Sequence, residues 1–137
     1  AADSVIGFYC TLAQRENIPF SLKIDLPQHL PVDDIDLCLV LSNVLENALE
    51  ASRKAGAGRH MEIAAYVYAE NMVLIQVINA YSGEIRRVHS VFQSSKRLGD
   101  GVGLQSVRRI AEKNGGAATF SYADGIFTAR IMLRGKD

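Results

Sequence analysis

Two kinds of apolar spacing follow one another along the first half of the chain. From Phe20 to Leu26, apolar and polar residues alternate, which is the period of a half-buried strand. From Asp33 or Asp34 to about Lys54, apolar residues recur every three or four positions, with an aspartate able to cap the first turn. Gly56 and Gly58 follow and would end a helix. This half therefore predicts a strand and then a long helix.

The second half predicts two pairs of strands, separated by a polar segment and a helix. The Asp124-Gly125 pair between two apolar runs is a strong hairpin signal. Residues 1–16 predict one more helix, before the first strand. The order indicates an α/β fold, a two-layer sandwich with helices on one face of a mixed sheet. The expected features of the second half are strands at 62–68, 72–78, 117–122 and 126–133, a long loop at 79–100 and, at 101–114, a loop that leads into a helix.

Composition narrows the class of protein. The chain has 137 residues, 48% of them apolar, and its 15 basic residues balance 15 acidic ones. This suits one domain with its own core and gives no charge footprint for nucleic acid. No apolar run approaches the roughly 18–20 residues that span a bilayer. Cys10 and Cys38 are too few for a disulfide framework, which fits a reducing cytoplasm.

A polar stripe runs along the predicted long helix. At about 100° per residue, Asn43, Asn47 and Glu50 fall on one narrow face. Asparagine is a mediocre helix former, so two of them one turn apart need an explanation. An amide oxygen suits Mg²⁺, which takes few protein ligands. The alternative is a solvated helix face, which Asp36 and Lys54 on the same arc support.

A glycine-rich run precedes the last predicted helix. Residues 99–104 (GDGVGL) could bring backbone N–H groups, and a helix dipole, to a phosphate. No Lys-Ser/Thr pair follows, as a Walker loop requires, and no strand precedes, as a Rossmann turn requires. The alternative is a plain turn that enters the helix.

Taken in order, these segments resemble the GHKL ATPase superfamily, which includes histidine kinases, gyrase and MutL, and most closely its quorum-sensing histidine-kinase branch. Residues 43–51 (NVLENALEA) resemble the N box, residues 92–96 (FQSSK) the segment before the second glycine box, and residues 99–107 that box itself. The resemblance covers about residues 18–133. It implies a Bergerat-type sandwich, with ATP held between the helices under a mobile lid at about residues 82–98.

The resemblance also implies roles for single residues. Asn47 would bind Mg²⁺, and Asn43 would occupy a neighbouring position where ATPase relatives carry a glutamate that activates water. Because an amide is a poor base, an acceptor side chain would suit this site better than water. Lys96 would hold the phosphates, which makes Asn43, Asn47 and Lys96 the expected catalytic residues. The expected nucleotide contacts are Asn47, Glu50, Asn79, Gly83, Lys96, Gly99, Gly101, Val102, Gly103 and Leu104.

One segment departs from the family's pattern. The family usually carries Asp-x-Gly-x-Gly, in which the aspartate contacts the adenine amino group. This chain has NAYSG at residues 79–83, so Asn79 replaces the aspartate and Gly83 is the only matching glycine. An asparagine oxygen still accepts a hydrogen bond from that amino group, but without charge assistance.

The phosphoacceptor of such kinases is a histidine on a separate helical domain, and His29, His60 and His89 do not have that context. We expect residues 1–16 to be the tail of an upstream helix and residues 17–137 the ATP-binding domain, which binds ATP and Mg²⁺ but cannot complete phosphotransfer alone. The expected partners are the phosphoacceptor domain of the same protein and a response regulator. The resemblance implies a homodimeric, membrane-anchored bacterial sensor whose catalytic domain is cytoplasmic. Two alternatives remain: a degenerate docking module without useful nucleotide binding, and an anti-sigma-type serine kinase.

Overall fold

The computed structural model describes residues 1–69, 71–81, 85–88, 91–94 and 98–135, and only the backbone of residues 85–88, 91–94 and 98–102. A short 3₁₀ turn, Gly56–Gly58, follows the second helix. In chain order the elements are α1 (Ala2–Arg15), β1 (Phe20–Asp25), α2 (Asp34–Lys54), β2 (Met61–Tyr68), β3 (Met72–Ala80), β4 (Ile85–Val88), β5 (Val91–Ser94), α3 (Leu98–Lys113), β6 (Ala117–Ala123) and β7 (Ile126–Arg134).

The main sheet has five strands in the order β1-β2-β3-β7-β6. The β1 strand runs parallel to β2, and the other neighbours are antiparallel, so the predicted mixed sheet is confirmed. Asp124 and Gly125 both have positive φ angles, 53° and 77°, which is the conformation of a two-residue hairpin turn between β6 and β7. The expected strands therefore form, within one or two residues at their ends.

The core lies between one face of this sheet and the helices. The α2 helix packs on β2 and β3, and α3 packs on β6 and β7. Alternate residues of β3 and β7, such as Ile75 and Ile131, are fully buried on the helix side. The apolar arc predicted for α2 is buried there as well, at Leu37, Leu41, Val44, Leu45 and Ala48. The two-layer sandwich is confirmed.

The α1 helix packs beside α2 rather than on the sheet. Tyr9 contacts Glu46, and Glu16 pairs with Arg53, so contacts follow the same order along both helices, which therefore run parallel. In the described part of the chain, no helix combines the length and apolar content needed to cross a bilayer.

The prediction of one long loop at residues 79–100 is wrong. The β3 strand continues to Ala80, β4 and β5 form a separate two-stranded hairpin, and α3 begins at Leu98. The absence of apolar periodicity in this segment misled the prediction, because a hairpin outside the main sheet needs no continuous apolar face. The other residues of the expected lid, 82–84, 89–90 and 95–97, lie outside the described residues.

Candidate functional site

The α2 helix holds the predicted polar stripe, and its start is fixed by a cap. The Asp33 carboxylate accepts a hydrogen bond from the Asp36 backbone N–H at 3.1 Å, which satisfies one of the free donors of the first turn. Arg53 and Lys54 lie in the last turn, where positive charge suits the helix dipole. With its apolar arc on the sheet, α2 turns the stripe away from the core and toward α3.

Asn43 faces the glycine segment of α3. Its side-chain Nδ2 donates to the Leu39 carbonyl oxygen at 2.9 Å, which fixes the amide. Its Oδ1 lies 3.5 Å from the position that a side-chain Cβ would take at Gly103. The two helices therefore approach each other at this point, with an amide oxygen directed at a residue that has no side chain.

Asn47 lies one turn further along the same face. It is half-buried, and within the described part of the chain its amide makes no hydrogen bond. Glu50 follows, half-buried and engaged in a contact. A half-buried amide oxygen without a protein donor is chemically suited to a Mg²⁺ ion, so the side chains present fit the expected metal.

Asn79 lies at the end of β3, on the sheet face that the helices cover. It pairs in register with Phe127 and is 1% exposed. Its Nδ2 donates to the Ala80 carbonyl oxygen at 2.9 Å, whereas its Oδ1 accepts no hydrogen bond from the described residues. A buried acceptor without a donor is uncommon in folded proteins, so this oxygen is available to bind a ligand.

Tyr81 takes the position of the first glycine of the family's segment, and its packing could not be read from the motif. Its backbone N–H donates to the Gly125 carbonyl oxygen at 2.8 Å. Its ring lies 6.0 Å from Phe127 and 5.8 Å, edge on, from Tyr122. The chain therefore enters the expected lid from an aromatic cluster rather than from a flexible glycine turn.

The glycine run is not a loop, contrary to the prediction. Gly99, Gly101, Val102 and Gly103 all lie within α3. Low helix propensity is overridden here by packing, since Val107 and Ala111 anchor this helix in the core. The N–H groups of its first turn, including that of Gly99, have no intrahelical acceptor, whereas Gly103 lies beyond that turn. Leu104 is partly buried against the core.

Two further expectations have different outcomes. The position of Asp36 on the stripe favours a solvated helix face, but Asp36 is 6% exposed and is bound by Lys113 of α3 and by Asn114, which follows α3. That argument for the alternative is wrong, because the neighbouring helix covers this end of the stripe. Gly83 and Lys96 lie outside the described residues, and their expected contacts stay predictions.

The first helix also reaches this stripe, which the sequence did not indicate. The Tyr9 hydroxyl donates to Glu46 Oε1 at 3.5 Å, between the positions of Asn43 and Asn47. Burial, and then the negative charge of Glu46, raise the pKa of Tyr9 above its ordinary value. The Tyr9 hydroxyl therefore stays protonated and remains a donor at neutral pH.

Comparison with known proteins identifies the family of the chain. A profile described as the GHKL domain matches residues 32–134, which include α2, the end of β3 and α3. The chain belongs to the GHKL domain family. As a GHKL domain it is 27% identical to the sensor histidine kinase HprS of Escherichia coli over 96% of its length, and 30% identical to the sensor protein FixL of Bradyrhizobium diazoefficiens over 91%.

Solved structures share the fold of this GHKL domain. The catalytic domain of the histidine kinase ThkA superposes with a TM-score of 0.75 at 20% identity, covering 99% of this chain and 92% of that one. The mycobacterial sensor histidine kinase MprB gives a TM-score of 0.73 at 23% identity, covering 98% and 95%. The chain spans only 29% of HprS and 26% of FixL, so the curated relatives are several times longer.

Proposed function

We propose that this GHKL domain is the ATP-binding catalytic domain of a sensor histidine kinase, which transfers the γ-phosphate of ATP to a histidine on a separate helical domain. The observation that carries the proposal is the close approach of α2 and α3, where Asn43 Oδ1 faces Gly103 and Asn47 follows one turn later. The relatives HprS, named as a sensor histidine kinase, and FixL, named as a sensor protein, support it.

The two asparagines would divide the chemistry. Asn47 would hold Mg²⁺, which when bound neutralises charge on the phosphates. Asn43 cannot act as a general base, because an amide takes up no proton near neutral pH. Its hydrogen bond to Leu39 keeps it in place beside the phosphates, where it would orient rather than activate. The site therefore favours transfer to a strong nucleophile such as an imidazole over transfer to water.

Base recognition would rest on Asn79. Its buried, unpaired Oδ1 would accept a hydrogen bond from the adenine amino group. The first turn of α3 would contribute backbone N–H groups and a favourable dipole to the phosphates. In this proposal Lys96 adds a positive charge there, and Gly83 gives the chain freedom to pass close to the base.

The acceptor would come from elsewhere in a longer protein. His60 lies in the link before β2, with its Nδ1 3.2 Å from the Gly58 carbonyl oxygen, and His29 lies in a loop, so neither is on a helix. We propose that α1 continues a helical phosphoacceptor domain, that the whole protein is a membrane-anchored homodimer, and that a response regulator receives the phosphate. The Asn79 substitution favours the quorum-sensing branch.

One observation favours a second candidate, a docking module without useful nucleotide binding. The Tyr81 ring packs on Tyr122 and Phe127 at a position where relatives carry glycine, so a bulky side chain stands two residues from Asn79 in the segment expected to contact the base. The two candidates differ in a single measurable property, which is the affinity of the folded chain for nucleotide.

Calorimetric titration with a non-hydrolysable ATP analogue tests the proposal, with and without Mg²⁺. We expect Mg²⁺ to strengthen binding, and Asn47→Ala to remove most of that gain, by about tenfold or more, as the loss of a metal ligand predicts. The matched control is Ser42→Ala, which removes a polar group from the same helix without touching α3 and should bind as the wild type does. A folded wild-type chain that does not bind at millimolar nucleotide would favour the docking module.

A further inference from the structure

A polar junction joins the start of α2 to the end of α3, at the opposite end of the helix pair from the expected phosphate site. Lys113 Nζ lies 3.2 Å from Asp36 Oδ1 and 3.0 Å from its Oδ2. The Asn114 side-chain Nδ2 donates to Asp36 Oδ2 at 3.0 Å. The Asp36 side chain is 8% exposed, whereas that of Lys113 is 66% exposed. A buried carboxylate with both oxygens bound therefore links the two helices.

The α3 side of this junction is fixed on the sheet. The Asn114 carbonyl oxygen accepts a hydrogen bond from the Arg134 backbone N–H of β7 at 3.1 Å. Gly116 follows, where a Cβ would come within 1.8 Å of the Met132 carbonyl oxygen, so the backbone sits directly against the sheet. The Asn114 Nδ2 also donates to the Ile110 carbonyl oxygen at 2.9 Å, which ties the side chain to its own helix. Asp36 thus binds the anchored end of α3.

From this junction, α2 and α3 run antiparallel to the point where Asn43 meets Gly103. Asp36 meets Asn114 at one end, and seven residues further along α2, Asn43 meets Gly103. From Asn114 back to Gly101 is about 20 Å along a helix, at roughly 1.5 Å per residue, so a tilt of about 5° at the junction would move the glycine segment by about 2 Å. Because displacements of about 1 Å in a site have large effects, a shift of this size at the junction would change the geometry at which Asn43 faces Gly103.

We propose that Asp36 is a positioning residue, which sets the spacing between α2 and the glycine segment of α3 and so tunes nucleotide binding without touching the nucleotide. The inference rests on the proposed function. An ordinary surface ion pair would not have this effect, because such pairs contribute little. Here the carboxylate is the buried partner, and its hydrogen bond to Asn114 connects two anchored elements.

The test compares Asp36→Asn with Glu16→Gln by calorimetry with the ATP analogue. Both variants turn the carboxylate of an ion pair into an amide, but Glu16 caps the end of α1 and pairs with Arg53 of α2, away from α3. We expect Asp36→Asn to weaken nucleotide binding by about tenfold, as displacement of a binding group does. Glu16→Gln should stay within about twofold of the wild type, as an exposed pair predicts.

Magnesium separates a positioning role from a metal-binding one. Asp36→Asn should weaken binding by the same factor with and without Mg²⁺, whereas Asn47→Ala should lose the gain that Mg²⁺ brings. Nucleotide affinity of Asp36→Asn equal to that of the wild type would overturn the inference, and so would a loss seen only with Mg²⁺. If the wild-type chain itself does not bind, it is the proposed function that fails.

A second variant covers the case in which Asp36→Asn does not fold. Lys113→Met removes only the exposed partner and keeps the Asp36–Asn114 hydrogen bond. It should weaken binding by about threefold, a smaller effect because the more exposed contact is the weaker one. Circular dichroism at the titration temperature shows whether each variant is folded. Full wild-type affinity in a folded Lys113→Met chain, with Asp36→Asn unfolded, would overturn the inference.

Discussion

Asn79 is the residue at which this chain differs most from the family's pattern, and its surroundings explain how the exchange is tolerated. An aspartate here would be a charge at a position that is 1% exposed, with the Ala80 carbonyl oxygen beside it. The asparagine turns that contact into a hydrogen bond of 2.9 Å and keeps one oxygen available. The amide therefore costs less free energy to bury than a carboxylate would. Its hydrogen bond to a ligand lacks the strength that a charge would add.

Asn79→Ala should separate base recognition from phosphate binding. We expect the variant to lose about tenfold in affinity for the ATP analogue, the equivalent of roughly 1.4 kcal/mol. Loss of the hydrogen bond to Ala80 should lower the free energy of unfolding by about 1 kcal/mol. Binding of magnesium tripolyphosphate, which has no base, should not change. An equal loss for both ligands would contradict the assignment of Asn79 to the base.

At the scale of elements, α1 is held on α2 by an apolar stripe, with a polar contact near the middle of α1 and another at its end. Ile6 and Ala13 are buried in the shared core, Tyr9 reaches Glu46, and Glu16 receives both Arg53 Nε at 2.6 Å and Nη2 at 2.9 Å. Because Glu46 lies between Asn43 and Asn47 in the sequence of α2, a shift of α1 would be transmitted to α2 through the Tyr9–Glu46 contact.

The Glu16–Arg53 pair should make stability depend on pH in acid. The hydrogen bond from Arg53 lowers the pKa of the Glu16 carboxyl below its ordinary value. A group whose folded pKa is depressed stabilises the fold above its unfolded pKa, about 4.3 for glutamate, and loses that contribution as pH falls through the folded value.

Thermal unfolding of the wild type and Glu16→Gln between pH 7 and pH 2 measures this contribution. The wild type should melt at a slightly higher temperature near neutral pH, and the difference should shrink below about pH 4.3. The effect should be small, because the pair is solvent-exposed. A difference that stays constant down to pH 2 would mean that the pair contributes through packing rather than charge.

Most elements were predictable because local pattern and tertiary packing agree. The Asp33 cap, the apolar arc of α2 and the Asp124-Gly125 turn each specify the conformation that the structure contains. The start of α3 was missed, because three glycines within five residues argue locally against a helix. Gly103 lies against Asn43, a contact that exists only once the two helices are packed together.

The site was predictable in part for the same reason. Helical geometry alone put Asn43 and Asn47 on one face, and the structure directs Asn43 at the α3 glycines. The Asp36 junction could not be found from spacing, because its partners lie 77 and 78 residues away in the chain. The packing of Tyr81 likewise depends on Phe127 of β7 and on Gly125 of the β6–β7 turn, which come close to Tyr81 only in the folded sheet.

For the whole molecule, the proposed function centres on the meeting of α2, α3 and the end of β3. The N-box helix, the end of β3 and the start of α3 come from distant parts of the chain, and all lie on the helix side of one sheet. The opposite face carries the Arg130–Gln76 pair and exposed tyrosines, and has no part in the proposed chemistry.

Hydrogen–deuterium exchange of the chain, with and without Mg²⁺ and the ATP analogue at saturation, tests whether the nucleotide binds where α2, α3 and the end of β3 meet. With nucleotide bound, we expect slower exchange in peptides that contain the first turn of α3 and the end of β3 around Asn79. Exchange in peptides from β1 and from β2 around Tyr66 should not change. Saturating nucleotide that leaves α3 and the end of β3 unprotected, or that protects the open face of the sheet instead, would contradict the account.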